Sequence, residues 1–117
     1  MSLMASLFSG KGQVNDSVKI LSAADYKEAI KNNSVQLVDV RTGAEFNQGA
    51  IKGAVNIDYF KEDSFEKKFN QLDKGKPIFI YCRSGNRSQK AAARLDSLGF
   101  KEIYDLKGGY LNWSQKK

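Results

Sequence analysis

Cys82 is the only cysteine in the chain, and Arg83-Ser84-Gly85-Asn86-Arg87-Ser88 follow it directly. A lone cysteine is ordinarily a small buried hydrophobe. This one ends the β-rich run Ile78-Phe79-Ile80-Tyr81 and precedes a stretch with helical apolar spacing, so it falls at a strand end, before a short loop and a helix start. The first amides of a helix have no intrahelical partners, and with the helix dipole they form an anion site. Gly85 can take a positive φ, which lets successive N–H groups converge on one point. Arg83 and Arg87 add fixed positive charge. The same field favours the thiolate of Cys82, the nucleophilic form. A thiolate in such a cradle can attack a bound oxyanion or carry a charged adduct.

The rest of the composition narrows the chemistry. One cysteine excludes an internal disulfide and any Cys-rich zinc site. The chain has no histidine, so a Ser-His-Asp triad, a Cys-His pair, an HExxH zinc site and an imidazole base are all excluded. The net charge is +6, but the lysines are scattered, adjacent only at Lys67-Lys68 and Lys116-Lys117. Without aromatic–basic interleaving this reads as a solubility-promoting surface rather than a nucleic-acid interface. Asp39, Arg41 and Glu45 follow another apolar run. An Asp at a strand end most often caps or ion-pairs, so they read as supports, with Asp39 or Glu45 paired to an arginine. Asn56, Gly108 and Gly109 read as scaffold.

These groups need elements to position them. Val18–Leu21 is a short alternating strand. Ser22-Ala23-Ala24-Asp25 is a capping-box-like start for a helix carrying Tyr26 and Ile30 on one face and ending near Asn32-Asn33. Val35–Val40 is a continuous apolar run, as in strands covered on both faces. Thr42-Gly43-Ala44-Glu45 is a second capping box, opening a helix through Asn47. Ala54–Ile57 is a third strand. Asp63 or Ser64 caps the next helix, where Phe65, Phe69 and Leu72 form one stripe. Ile78–Tyr81 is the strongest strand. Ser88–Leu98 is a helix with Ala91, Ala92, Leu95 and Leu98 inward and Gly99 as its C-terminal cap. Lys101–Asp105 is a fifth strand, Gly108-Gly109 a tight turn and Tyr110–Gln115 a last helix.

Strand and helix alternate throughout, which predicts an α/β fold: three layers, a five-stranded mainly parallel sheet and helices on both faces. A chain of 117 residues with 41% hydrophobic content is the size of one domain. The domain is expected over residues 17–117, with 1–16 a flexible Ser/Gly/Asn-rich segment that does not read as a signal peptide. Met1-Ser2-Leu3-Met4 reads as partly appended. No run approaches the ~18 apolar residues of a membrane helix. The expected compartment is the cytoplasm, or the periplasm if a leader has been replaced. Ligands of such sheets sit beyond the carboxyl ends of the strands, where Asp39–Arg41, Cys82 onward and Leu106–Gly109 all fall.

Taken in order, these motifs resemble the single-domain rhodaneses, a sulfurtransferase family. The matching features span Val18 to Trp113: Asp39-Val40-Arg41 with Glu45-Phe46, Gly49-x-Ile51-x-Gly53-Ala54-x-Asn56-Ile57, the Cys82–Arg87 loop, and Leu106-x-Gly108-Gly109-Tyr110-x-x-Trp113. Many members carry His where this chain has Ala50, a departure that spares the nucleophile.

The resemblance implies a rhodanese-like fold with the fourth strand central and Cys82 at the bottom of a shallow pocket. It implies that Cys82 is catalytic and that Arg83, Ser84, Gly85, Asn86, Arg87 and Ser88 bind the substrate, with Asp39, Arg41 and Glu45 supporting. Cys82 takes sulfane sulfur from thiosulfate or a persulfide donor, holds it as a persulfide, and passes it to cyanide or a thiol, on a small molecule or a partner protein. It implies no metal, no cofactor, no nucleic acid and no membrane. Sulfur transfer by a thiolate needs no strong base, which leaves the three supports little acid–base work. Related phosphatases and arsenate reductases place Arg six positions after Cys, around a tetrahedral oxyanion. Here Arg87 stands at plus five and Ser88 at plus six, a smaller loop suited to a sulfur atom. The alternatives are a non-enzymatic sulfur-carrier or redox-sensing module and, behind it, a phosphatase or arsenate-reductase-like enzyme.

Overall fold

The computed structural model describes residues 17–31 and 35–115. The expectations for residues 1–16 lie outside them, and the first helix, expected to end near Asn32-Asn33, already ends at Ala29 with Ile30 as its C-cap. Five strands run β1 (Val18–Leu21), β2 (Gln36–Asp39), β3 (Val55–Asn56), β4 (Ile78–Tyr81) and β5 (Ile103–Leu106). Five helices connect or follow them: α1 (Ala23–Ala29), α2 (Gly43–Asn47), α3 (Glu62–Phe69), α4 (Asn86–Ser97) and α5 (Gly109–Gln115). The sheet order is β1-β5-β4-β2-β3, and every pairing is parallel.

Strand β4 is central because it alone is apolar at every position, and all four of its residues are buried. Its side chains alternate between two cores. On one face Ile78, Ile80 and then Cys82 pack with Val38, Val40 and Ile103 beneath α3 and α4, which contribute Phe65, Phe69, Ala91, Ala92 and Leu95. The small alanines let α4 lie close to the sheet. On the other face Phe79 and Tyr81 meet Tyr26 of α1, Leu106 and the half-buried Trp113 of α5. Helices therefore cover both faces, as expected. No helix among the described residues is long and apolar enough to cross a membrane.

Local chemistry starts two of the helices. The Ser22 hydroxyl accepts the Asp25 amide at 3.1 Å. At α2 the capping box is complete: Thr42 Oγ1 accepts the Glu45 amide, and Glu45 accepts the Thr42 amide. Helix α3 departs from expectation. It begins at Glu62 with Lys61 at the N-cap position and no side-chain cap, so neither Asp63 nor Ser64 caps it. The Asp58 carboxylate turns the chain by accepting the Phe60 amide at 2.8 Å, and this places Asp63 and Ser64 inside the first turn. Helix α4 likewise starts at Asn86, two residues before Ser88, because Gly85 at φ 108 supplies the left-handed turn out of the loop. The second and third strands are shorter than their apolar runs, and the fifth is shifted toward Leu106.

Candidate active site

Cys82 is the first residue beyond β4 and is fully buried. The loop folds back over it. The Gly85 amide donates to Cys82 Sγ at 3.0 Å. The Ser88 hydroxyl lies 3.4 Å from the same sulfur, accepts the thiol proton, and donates to Gly85 O at 3.3 Å. The sulfur thus sits at the head of α4 with one backbone donor and one hydroxyl on it. The resemblance implies Cys82 at the bottom of a shallow pocket; here the loop covers the sulfur, which does not line the cleft beside it. This open cleft runs along the solvent side of the loop, lined by Ser84, Gly85, Asn86, Gln89, Lys90 and Ala93.

The loop is clamped from below by the start of α5. Tyr110 N donates to Cys82 O at 2.8 Å, and Leu111 N donates to Arg83 O at 3.0 Å. Gly109 makes the approach feasible. It has φ 63, and a Cβ there would fall 2.5 Å from both the carbonyl carbon and the oxygen of Arg83. Reading Gly108-Gly109 as a tight turn found the bend but missed this contact. The signal available was the position of the pair, separated by Lys107 alone from the end of a strand that parallels the cysteine strand.

The two arginines of the loop differ. Arg83 is exposed, as are Ser84 and Asn86, whereas Arg87 is partly buried. Arg87 forks onto Glu45, with Nη1–Oε1 at 2.8 Å and Nη2–Oε2 at 3.0 Å. This pairing is the main reason the Glu45 pKa is lowered to about 2; burial opposes it and the Thr42 amide and hydroxyl assist. The Arg87 pKa is raised, first by Glu45, and the field of Cys82 adds to the rise. The guanidinium also lies 5.4 Å from the ring centroid of Phe60, an exposed aromatic that the sequence did not single out.

Asp39 and Arg41 form a separate buried pair. Arg41 Nη2 meets Asp39 Oδ2 at 2.6 Å and donates to Gly49 O at 2.6 Å, and the Asn56 amide group donates to the carbonyls of Asp39 and Arg41. The Arg41 guanidinium packs 4.4 Å from the Tyr110 ring centroid. Each acid expected to hold an arginine therefore does so: Glu45 braces the cysteine loop, and Asp39 ties β2 to the Gly49 turn and to α5. Neither carboxylate contacts the sulfur.

The chain thus carries a strand-end cysteine under a glycine-turned loop at a helix N-terminus, on a five-stranded parallel sheet. Residues 22–116 match the rhodanese-like domain family, and the chain belongs to it. It is 35% identical over 99 residues to thiosulfate sulfurtransferase GlpE of Shewanella oneidensis, covering 85% of this chain and 95% of that protein. It is 39% identical over 88 residues to a tRNA uridine(34) hydroxylase of Pelagibacter ubique, covering 75% of this chain but spanning only 29% of that longer protein. Among solved structures, a rhodanese-related protein of Thermoplasma volcanium superposes with a TM-score of 0.72 at 32% identity, covering 84% of this chain and 92% of that one.

Proposed function

We propose that the protein is a sulfurtransferase in which Cys82 carries sulfane sulfur as a persulfide. The observation that carries this reading is the Gly85 amide on Cys82 Sγ at 3.0 Å, at the head of α4. In the first step the Cys82 thiolate attacks the outer sulfur of thiosulfate. A sulfur–sulfur bond forms to Cys82, the bond to the sulfonate sulfur breaks, and its electron pair leaves with sulfite. In the second step cyanide or a thiolate attacks the terminal persulfide sulfur, and Cys82 departs as a thiolate. Charge balances in both steps without an external base. The loop amide and the dipole of α4 stabilise negative charge on the sulfur throughout, as an oxyanion hole does. The donor enters from the solvent side of the loop, where Arg83 is exposed, and the loop must yield to admit its outer sulfur.

Two features support sulfur over phosphorus. Arg87 stands five residues after Cys82 rather than six, and its guanidinium is engaged by Glu45 instead of standing free for three equatorial oxygens. The likeness to a thiosulfate sulfurtransferase over nearly the whole of both chains favours thiosulfate as donor. Hydroxylation is not proposed, since the chain corresponds to a minor part of the hydroxylase it matches. The test is intact mass before and after thiosulfate, with Cys82→Ser alongside. The wild type should gain one sulfur and the variant none.

A further inference from the structure

Asp105 lies in the middle of the sheet, on the face that should be apolar. The parallel register sets it opposite Ile80, two residues before Cys82, so Asp105, Ile80 and Cys82 project to the same side beneath α4. It is 1% exposed, and neither carboxylate oxygen completes a hydrogen bond. An ionised carboxylate without partners in such a place is costly and tends to take up a proton instead. Burial pushes the Asp105 pKa up to about 7, and only the Ser88 hydroxyl and the Leu106 amide draw it back. Both therefore lie close, though neither reaches good hydrogen-bond geometry. Ser88 is the same residue whose hydroxyl stands 3.4 Å from Cys82 Sγ.

We propose that Asp105 is a positioning residue that shares one proton with Cys82 through Ser88, so that negative charge rests on the sulfur only while the Asp105 carboxyl is neutral. The thiol passes its proton to Ser88 Oγ as the Ser88 hydroxyl passes its own to an Asp105 oxygen. One S–H and one O–H bond break and two O–H bonds form, and a single negative charge moves from carboxylate to sulfur. Ser88 now donates to Gly85 O, so its hydroxyl need only rotate to reach Asp105. Once the sulfur is charged, neutral Asp105 donates to Ser88, and Ser88 donates to the sulfur beside the Gly85 amide. The chain has no histidine, and among the described residues the buried carboxylates are Asp105 and Asp39, the latter paired with Arg41. The proposal deepens the sulfurtransferase reading and rests on it for its catalytic consequence: a persulfide anion would be held by the same arrangement.

The surrounding groups leave the pair to itself. Strand β1 sets Ile20 opposite Asp105, with Lys19 at the neighbouring position that faces the other way. The α4 residues of this core are Ala91, Ala92 and Leu95. Tyr26 of α1 feels the Asp105 charge, but burial raises its pKa well above the ordinary tyrosine value, and its hydroxyl donates to Ile80 O, so it stays neutral. Arg87 contributes a field at Cys82 while tied to Glu45. No cation is among the groups that shift Asp105.

The test follows thiolate formation by its ultraviolet absorbance against pH, with Cys82→Ser as baseline; the single cysteine makes the signal unambiguous. Asp105→Asn should move the thiolate titration to lower pH by about one pH unit or more, since a competing negative charge is gone. In a Ser88→Ala background the same substitution should move it by less than half as much. An unmoved or raised midpoint, or an equal shift with and without the hydroxyl, would overturn the proposal. Should Asp105→Asn fold poorly, infrared spectra of wild type with isotope-labelled aspartate serve instead. The protonated carboxyl band should fall only in part as the first thiolate appears, because the pair shares one charge between them; its complete loss before any thiolate appears would contradict the relay. Normal persulfide formation with an unmoved titration removes the role of Asp105 alone, whereas a coupled titration without persulfide removes the sulfurtransferase reading alone.

Discussion

At the level of single residues, the loop around Cys82 was readable because it lies in seven consecutive positions. A glycine that turns the chain and a helix start directly beyond one cysteine fold the backbone back over the sulfur. What could not be read was which arginine each acid would hold. Arg83 is exposed, whereas Arg87 is spent largely on Glu45. Arg83→Ala should raise KM for thiosulfate roughly fivefold, about 1 kcal/mol, with little change in kcat. Arg87→Ala should lower kcat as well, because it releases Glu45 and the loop; steady-state kinetics with thiosulfate and cyanide would separate the two, and matched effects would contradict the distinction. Asp105 escaped notice for a different reason. The strand was expected to end at Asp105, where a polar residue is ordinary, but β5 runs one residue further and carries Asp105 inside. Its pKa, raised from 3.8 to about 7, makes a stability prediction with a definite sign. The folded state binds the proton more tightly than the unfolded chain, so that contribution is whole below pH 3.8 and lost as pH rises through about 7. Asp105→Asn should therefore be more stable than wild type at pH 8 by about 1–4 kcal/mol, with the gain shrinking toward pH 4. Urea unfolding across that range should show the convergence; a difference constant with pH would refute it.

At the level of elements, the starts of α1 and α2 were legible because Ser22 and Thr42–Glu45 cap through bonds spanning three residues. The start of α3 was not, since Asp58 rather than Asp63 turns the chain there. The least legible contact is the clamp of α5 on the cysteine loop, which joins residues 26 or more positions apart through backbone atoms that no side chain advertises. Gly109 is its tightest point. A Cβ at 2.5 Å from Arg83 cannot be absorbed by a side-chain rotation, because the atoms it meets are backbone. With φ 63 added, Gly109→Ala should destabilise the fold by about 1–3 kcal/mol and displace the Cys82–Gly85 loop. Sulfurtransfer should then fall by more than the loss of folded protein explains. Activity per folded molecule, taken from urea melts and initial rates on the same preparation, checks this; an unchanged specific rate would show that the clamp does not position the loop.

For the whole molecule, alternation of strands and helices was enough to foresee a parallel sheet covered on both faces. The order β1-β5-β4-β2-β3 was less accessible, because strand neighbours depend on crossovers between distant segments. Only the centrality of β4 showed in advance, in its unbroken apolar run and in the family resemblance. That central strand delivers Cys82 to the carboxyl edge of the sheet, α4 sets its dipole on the sulfur, and β5 brings Asp105 up from behind. The net charge of +6 suits an anionic donor but distinguishes none. A sulfurtransferase of this design requires that Cys82 accept sulfur. Intact protein mass after incubation with thiosulfate should rise by the mass of one sulfur atom, return to its starting value on adding cyanide, and not move in Cys82→Ser. A wild-type mass unchanged by thiosulfate, or a sulfur gained by Cys82→Ser, would contradict it.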